Sequence, residues 1–159
     1  MAEINRLLKF DVNSRLDLTG VELVTIDGDD SKDFDDAVCA QKTPLGFNLI
    51  VAIADVAFYV RPGSALDREA YSRGNSVYLP NMVVPMLPEK LSNNLCALMP
   101  QKPRAAIACL MTIDKAGKLL TFEFTRAVIK DAARLTYRQV QDALDGHLHH
   151  LDQLDASFI

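Results

Sequence analysis

Four aspartates, Asp27, Asp33, Asp35 and Asp36, fall within the stretch TIDGDDSKDFDDA from Thr25 to Ala37, directly after the apolar run Val21 to Ile26. Together with Glu22, Asp29 and Asp30 they give residues 22–36 seven acids against the single base Lys32. Carboxylates crowded this closely raise one another's pKa or recruit a cation. Hard oxygen ligands suit Mg²⁺, and an enzyme that cuts phosphodiesters with Mg²⁺ needs them around its reacting phosphate. Two blander readings compete. Asp and Gly are common turn residues, but a turn between strands needs only one or two of them. An EF-hand calcium loop starting at Asp27 would place Asp29, Ser31, Asp33 and Asp35 at alternate positions, yet Lys32 replaces its sixth-position glycine and Val38 its bidentate glutamate. Metal carboxylates placed where one strand ends and a loop returns to the next stand ahead of both.

The elements that must hold these acids read as mixed α and β. Val21 to Ile26, Ala37 to Gln41, Phe47 to Ala54, Ala105 to Ile113 and Leu119 to Ile129 are rich in Val, Ile, Leu, Phe and Thr between Gly, Pro or Asp breaks, which predicts five strands. Phe47 to Ala54 is nearly all apolar and is expected to be a central strand covered on both faces. Asp114 to Gly117 predicts a hairpin turn with Gly117 at positive φ, and Lys42 to Gly46 predicts another. Ser64 with Asp67 opens a helix over Ala65 to Arg73. Thr136 with Gln139 opens a second over Tyr137 to Asp145, with Leu135 and Val140 as its hydrophobic staple and Gly146 as its stop. Between them Leu79 to Arg104 carries five prolines and is expected to be a long irregular, functional loop.

Composition bounds the class. The chain has 159 residues, 49% of them hydrophobic, enough to bury one domain's core. No run approaches the roughly 20 apolar residues of a membrane helix, and the start lacks the apolar region of a secretory signal, so a cytoplasmic location is expected. Cys39, Cys96 and Cys109 are odd in number and far apart, which suggests buried free thiols rather than a disulfide framework or a zinc site. The net charge of −4 hides a division: residues 37–138 carry thirteen bases and seven acids, whereas residues 22–36 contribute −6. An acidic cluster set in a basic body fits metal ligands beside a polyanion-binding surface, although ordinary solvated charge explains it equally well.

Three long segments resemble a known family. RLDLTGVELVTIDGDDSKDFDDAV, VAIADVAFYVRPGSALDREAYSRGNSVYLPNMVVPMLPEKLSNNLCALMP and LTYRQVQDAL occur in that order. They are similar to the start of the RNB catalytic domain of the ribonuclease II and ribonuclease R family of 3′ to 5′ exoribonucleases, with SRGNSVYLP and VPMLPEKLSN nearer the ribonuclease R branch. The resemblance implies an α/β (α+β) fold, a mixed sheet with flanking helices. It divides the chain into a lead-in over 1–14, the N-terminal part of the RNB domain over 15–146, and the start of an interrupted helix over 147–159. It implies that Asp27, Asp33, Asp35 and Asp36 are the family's catalytic, metal-binding aspartates, with Mg²⁺ or alternatively Mn²⁺ as cofactor. It implies single-stranded RNA as partner and nucleoside 5′-monophosphates as products. Tyr78 matches the family's aromatic that stacks on a base near the 3′ end.

Other residues carry weaker expectations. Asp55 ends the most apolar strand as a cap or as a support for the metal site. Arg61, Arg73, Lys90 and Arg104 could hold phosphates, though single loop bases are more often only solvated. His147, His149 and His150 read as a solvated segment rather than a metal site. The family's domain continues beyond the point where this sequence stops, into segments that supply a second stacking aromatic, an arginine and a glutamate. The alternative is therefore a truncated, inactive RNB fragment that retains metal or RNA binding only, and uncovered apolar surface is expected to promote self-association.

Overall fold

The computed structural model describes residues 12–147. The expectations placed on 1–11 and 148–159, including the interrupted helix and His149 and His150, lie outside the described residues. All five expected strands form. They are β2 (Val24–Asp27), β3 (Asp36–Thr43), β4 (Gly46–Ala54), β7 (Pro103–Asp114) and β8 (Leu119–Lys130). Four short strands join them: β1 (Leu16–Leu18), β5 (Val77–Leu79), β6 (Met82–Val84) and β9 (Ala133–Thr136). Seven make one mixed sheet in the order β1-β8-β7-β4-β3-β2-β9, with β1 parallel to β8, β2 parallel to β9 and the remaining neighbours antiparallel. The expected mixed sheet with flanking helices is thus present.

β4 lies fourth of seven, so its apolar run does mark the centre. Among the described residues it is not covered on both faces. One face of β4 and its neighbours presents small residues, Ala37, Ala52, Ala54, Ala106, Ala108 and Ala127, and onto these pack Leu91, Leu95, Leu98, Tyr59 and Phe34 in the main core. Alanines on the sheet let the large covering side chains seat closely, and each one buried contributes about 1.5–3 kcal/mol. On the opposite face Phe47 and Ile53 are exposed, as are Phe122 and Phe124, which meet edge to face at 5.8 Å. Only the β2–β9 end of that face is covered among the described residues, by Val140 and Ala143 packed on Val24 and Leu135.

The helices sit where their caps predict. α1 is a single turn, Val56–Tyr59; α2 spans Ala65–Arg73 behind Ser64, whose hydroxyl accepts from the Asp67 amide. α3 spans Tyr137–Leu144 behind the complete Thr136–Gln139 capping box and ends before Gly146 at φ 84°. Gly46 is required for a different reason: a Cβ there would lie 2.0 Å from the Ile113 carbonyl oxygen of β7. The proline-rich stretch is more ordered than expected. β5 and β6 form a separate hairpin with Tyr78 opposite Val83, and Leu91–Leu95 make one π-helical turn whose Leu91 and Leu95 plug the core.

Candidate active site

The sheet brings the acids together by ending two adjacent strands at one place. β2 runs out at Asp27, β3 begins at Asp36, and the pair is bridged only between Val24 and Val38 before the chain splays into the connecting loop. That loop is pinned from within. Phe34 is buried in the main core and its carbonyl accepts from the Leu98 amide at 2.7 Å, while the next carbonyl, of Asp35, accepts from the Ala54 amide at 2.9 Å. A buried phenylalanine flanked by aspartates leaves Asp33 half-buried and Asp35 exposed on either side of the anchor. Residue order alone carried no signal for that role of Phe34.

The carboxylates feel one another. Although the residue as a whole is exposed, partial desolvation of its carboxyl, then the charges of Asp33, Asp36 and Asp27, hold Asp35 above the usual carboxylate range. Asp27 is raised first by burial and then by Asp36, with the Arg134 guanidinium pulling the other way. Its Oδ2 is buried with no hydrogen-bond partner among the described residues. An orphaned carboxylate oxygen beside three further acids is a donor set that suits a hard cation. Among the described residues, however, no three His, Cys, Asp or Glu side chains form a ready-made ion cage. That is compatible with Mg²⁺, which usually keeps several waters and binds through one or two carboxylates plus substrate phosphates.

Tyr78 joins the cluster across 45 residues: its hydroxyl donates to Asp33 Oδ2 at 3.3 Å while 68% of the residue stays exposed. The Asp33 charge, above all, raises the Tyr78 phenol. Between the aspartate loop and the β5–β6 hairpin lies an open groove of about 700 Å³, lined among others by Lys32, Asp33, Tyr78, Asn81, Ser92 and Asn93.

The weaker candidates separate from this site. Asp55 caps α1, accepting from the Phe58 amide at 3.1 Å, and pairs with Arg15 at 2.6 Å. Arg61 lies over the Phe58 ring, Arg73 pairs with Glu69, and Arg104 binds the Asn94 and Ala97 carbonyls that end the π turn. Lys90 is exposed at the start of that turn, and His147 is exposed past α3.

Two residues near the cluster have no sequence signature. Arg134, opposite Thr25 in the β2–β9 register, donates to the Gly28 and Asp29 carbonyls at 3.1 and 2.8 Å. Asp131 is 1% exposed, and among the described residues neither carboxyl oxygen has a hydrogen-bond partner. Burial pushes its carboxyl up to about 8; the Thr25 amide opposes this from outside hydrogen-bonding geometry, and Asp27 adds to the rise. Between the unfolded value near 3.8 and about 8 the folded state holds a proton that the unfolded chain has released. Stability therefore falls as pH rises through that window, by at most about 1.4 kcal/mol per pH unit from this group. Asp131→Asn is expected to flatten that slope, so its stabilisation relative to the parent should be larger in urea melts at pH 8 than at pH 5. Equal differences at the two values would reject a proton held at Asp131.

The RNB domain family model matches residues 15–156. The chain belongs to that family. It is 52% identical over 155 residues to the Ribonuclease R of Vibrio parahaemolyticus, covering 91% of this chain and 19% of that protein. The apo form of Mycoplasma genitalium RNase R superimposes with a TM-score of 0.90 at 40% identity, over 99% of this chain and 25% of that one. The same RNase R in complex with ribose methylated single-stranded RNA also gives 0.90, at 39% identity and the same coverage. The chain thus spans about a fifth of the length of the first curated relative. The family resemblance of the aspartate and SRGNSVYLP segments is borne out, and so is the RNB fold. Among the described residues no helix is long and apolar enough to cross a membrane.

Proposed function

We propose that this chain carries the metal-binding part of a 3′ to 5′ exoribonuclease centre that hydrolyses single-stranded RNA to nucleoside 5′-monophosphates. The observation that carries the reading is the gathering of Asp27, Asp33, Asp35 and Asp36 at one sheet end beside the Tyr78 groove, with Asp27 Oδ2 orphaned among the described residues and Asp27 and Asp35 raised first by burial and then by their neighbours' charge. Family membership, and RNase R relatives solved with RNA, support it.

The four aspartates are the oxygen donors that would hold Mg²⁺ or Mn²⁺. When bound, the ion supplies a Lewis acid that lowers the pKa of a water and offsets charge building on the scissile phosphate. Of the four aspartates, Asp33 lines the groove, and the buried Phe34 anchors the loop between Asp33 and Asp35. Tyr78 presents an exposed ring whose hydroxyl is tethered to Asp33, so a base stacked on it lies beside the acids. Stacking accepts any base because every base has a π-face.

The test is incubation of 5′-labelled single-stranded RNA with the full chain in Mg²⁺ or Mn²⁺, against an EDTA control. Metal-dependent shortening from the 3′ end is expected; RNA left intact by excess protein overturns the activity for this chain and favours the alternative of a fragment that only binds metal or RNA. In the same system Tyr78→Ala should weaken RNA binding by about 1–3 kcal/mol, roughly 5- to 150-fold in Kd, for all four homopolymers alike. Unchanged titrations would remove Tyr78 from the RNA path.

A further inference from the structure

Arg134 sits on β9, one strand away from the metal loop and 106 residues beyond Gly28 in sequence. Its Nη2 donates to the carbonyls of Gly28 and Asp29, the two residues that follow Asp27. The centre of the same guanidinium lies 4.8 Å from the centroid of the Phe34 ring, between Asp33 and Asp35. One side chain therefore grips the loop at both ends: hydrogen bonds where it leaves β2, and a cation–π contact where it returns toward β3. Gly28 O also receives the Ser31 amide, so the Arg134 bond reinforces the turn in the middle of the acidic segment.

Arg134 Nε is buried without a hydrogen-bond partner among the described residues, which carries a desolvation cost. Seating a guanidinium there nonetheless fixes the backbone directions of Gly28 and Asp29 and the plane of Phe34. Those in turn set where the carboxylates of Asp27, Asp33 and Asp35 project. Lysine cannot reproduce this, because a single ammonium lacks the planar face and the forked donors needed to bond carbonyls and stack at once.

We propose that Arg134 is the positioning residue of the aspartate site: it clamps the Gly28–Phe34 loop so that the metal-binding carboxylates are held ready at the end of β2 and β3. The proposal rests on the metal-site reading above. It concerns loop order as well as metal affinity, so the two can fail separately.

The experiment compares the full 159-residue chain with Arg134→Lys and Arg134→Ala by two readouts. Amide hydrogen exchange of the metal-free proteins follows Ser31 and Leu98, whose N–H groups bond within and beneath the loop, against the interior amides of β4 and β7. Mn²⁺ titration followed by electron paramagnetic resonance gives metal affinity. In both variants the Ser31 and Leu98 amides are expected to exchange at least about tenfold faster while the β4 and β7 amides hold their rates. Mn²⁺ affinity should fall about 10- to 100-fold, as for other groups that orient metal ligands. Loop exchange at the parent rate, or protection lost uniformly across the sheet, overturns the clamp, as does Mn²⁺ affinity within twofold of the parent. A parent chain that binds no Mn²⁺ brings down the metal-site reading by itself, and the loop amides of the metal-free proteins then decide the clamp.

Discussion

Under the exoribonuclease activity proposed above, Asp35→Asn is expected to lower the metal-dependent rate of RNA shortening by about 10²–10³-fold, the loss typical when one preorganised electrostatic group is removed from a charge-stabilising site. Asparagine keeps the size of the side chain and leaves the backbone bond from the Ala54 amide to the Asp35 carbonyl untouched, so the loop has no reason to move. It removes a carboxylate that burial and the charges of Asp33, Asp36 and Asp27 hold above its ordinary range. A raised folded-state pKa means that ionised Asp35 destabilises the metal-free fold at neutral pH, an effect that disappears as pH falls through that pKa. The neutral variant should therefore melt at or above the temperature of the parent in EDTA while losing activity. Lost activity with raised stability identifies a functional carboxylate. A variant that melts lower and loses activity in proportion would instead make Asp35 a structural residue.

The opposite signs of these two effects explain why the acidic cluster was legible without coordinates. Seven acids against one base within fifteen residues is a pattern that folding free energy does not favour, so a role outside stability had to account for it. The five longer strands and two capped helices were legible for a different reason: local apolar runs and the Ser64 and Thr136 caps agree with the fold they enter. Apart from the local β5–β6 hairpin in the proline-rich stretch, what escaped depends on distant partners. β1 and β9 are only three and four residues long, and each exists because a remote strand lies parallel to it, β8 in one case and β2 in the other. Phe34 reads as one more apolar residue until the Leu98 amide and the core fix it between two aspartates. Arg134 reads as one more base until β9 carries it to Gly28. The expectation of a doubly covered β4 failed because an apolar run reports centrality in a sheet, whereas the cover over Phe47 and Ile53 depends on segments packed from elsewhere.

Arg15→Met is expected to destabilise the domain by about 3–5 kcal/mol, a large part of the 5–15 kcal/mol typical of a whole domain. The Arg15 and Asp55 side chains are each 4% exposed and meet at 2.6 Å. Arg15 Nη1 also reaches the Ala106 and Ala127 carbonyls of β7 and β8 at 3.3 and 3.5 Å, and the guanidinium lies 5.1 Å from the Phe58 ring centre. Removing the arginine leaves the Asp55 carboxylate buried beside low-dielectric surroundings, with the Phe58 amide as its remaining hydrogen-bond donor among the described residues. The consequence reaches the aspartate cluster through one peptide link, since Asp55 follows Ala54, whose amide holds the Asp35 carbonyl. The double variant Arg15→Met/Asp55→Leu removes both charges and should recover most of the loss, because two apolar side chains of similar volume replace a pair whose desolvation cost offsets much of its attraction. Urea melts of the two variants check both claims. By contrast, breaking the i,i+4 pair Arg73–Glu69, whose side chains are 42% and 59% exposed, should change stability by no more than about 0.5 kcal/mol. A double variant as unstable as Arg15→Met alone would mean that the guanidinium's bonds to the β7 and β8 carbonyls, not the ion pair, hold the end of β4 beneath the aspartates.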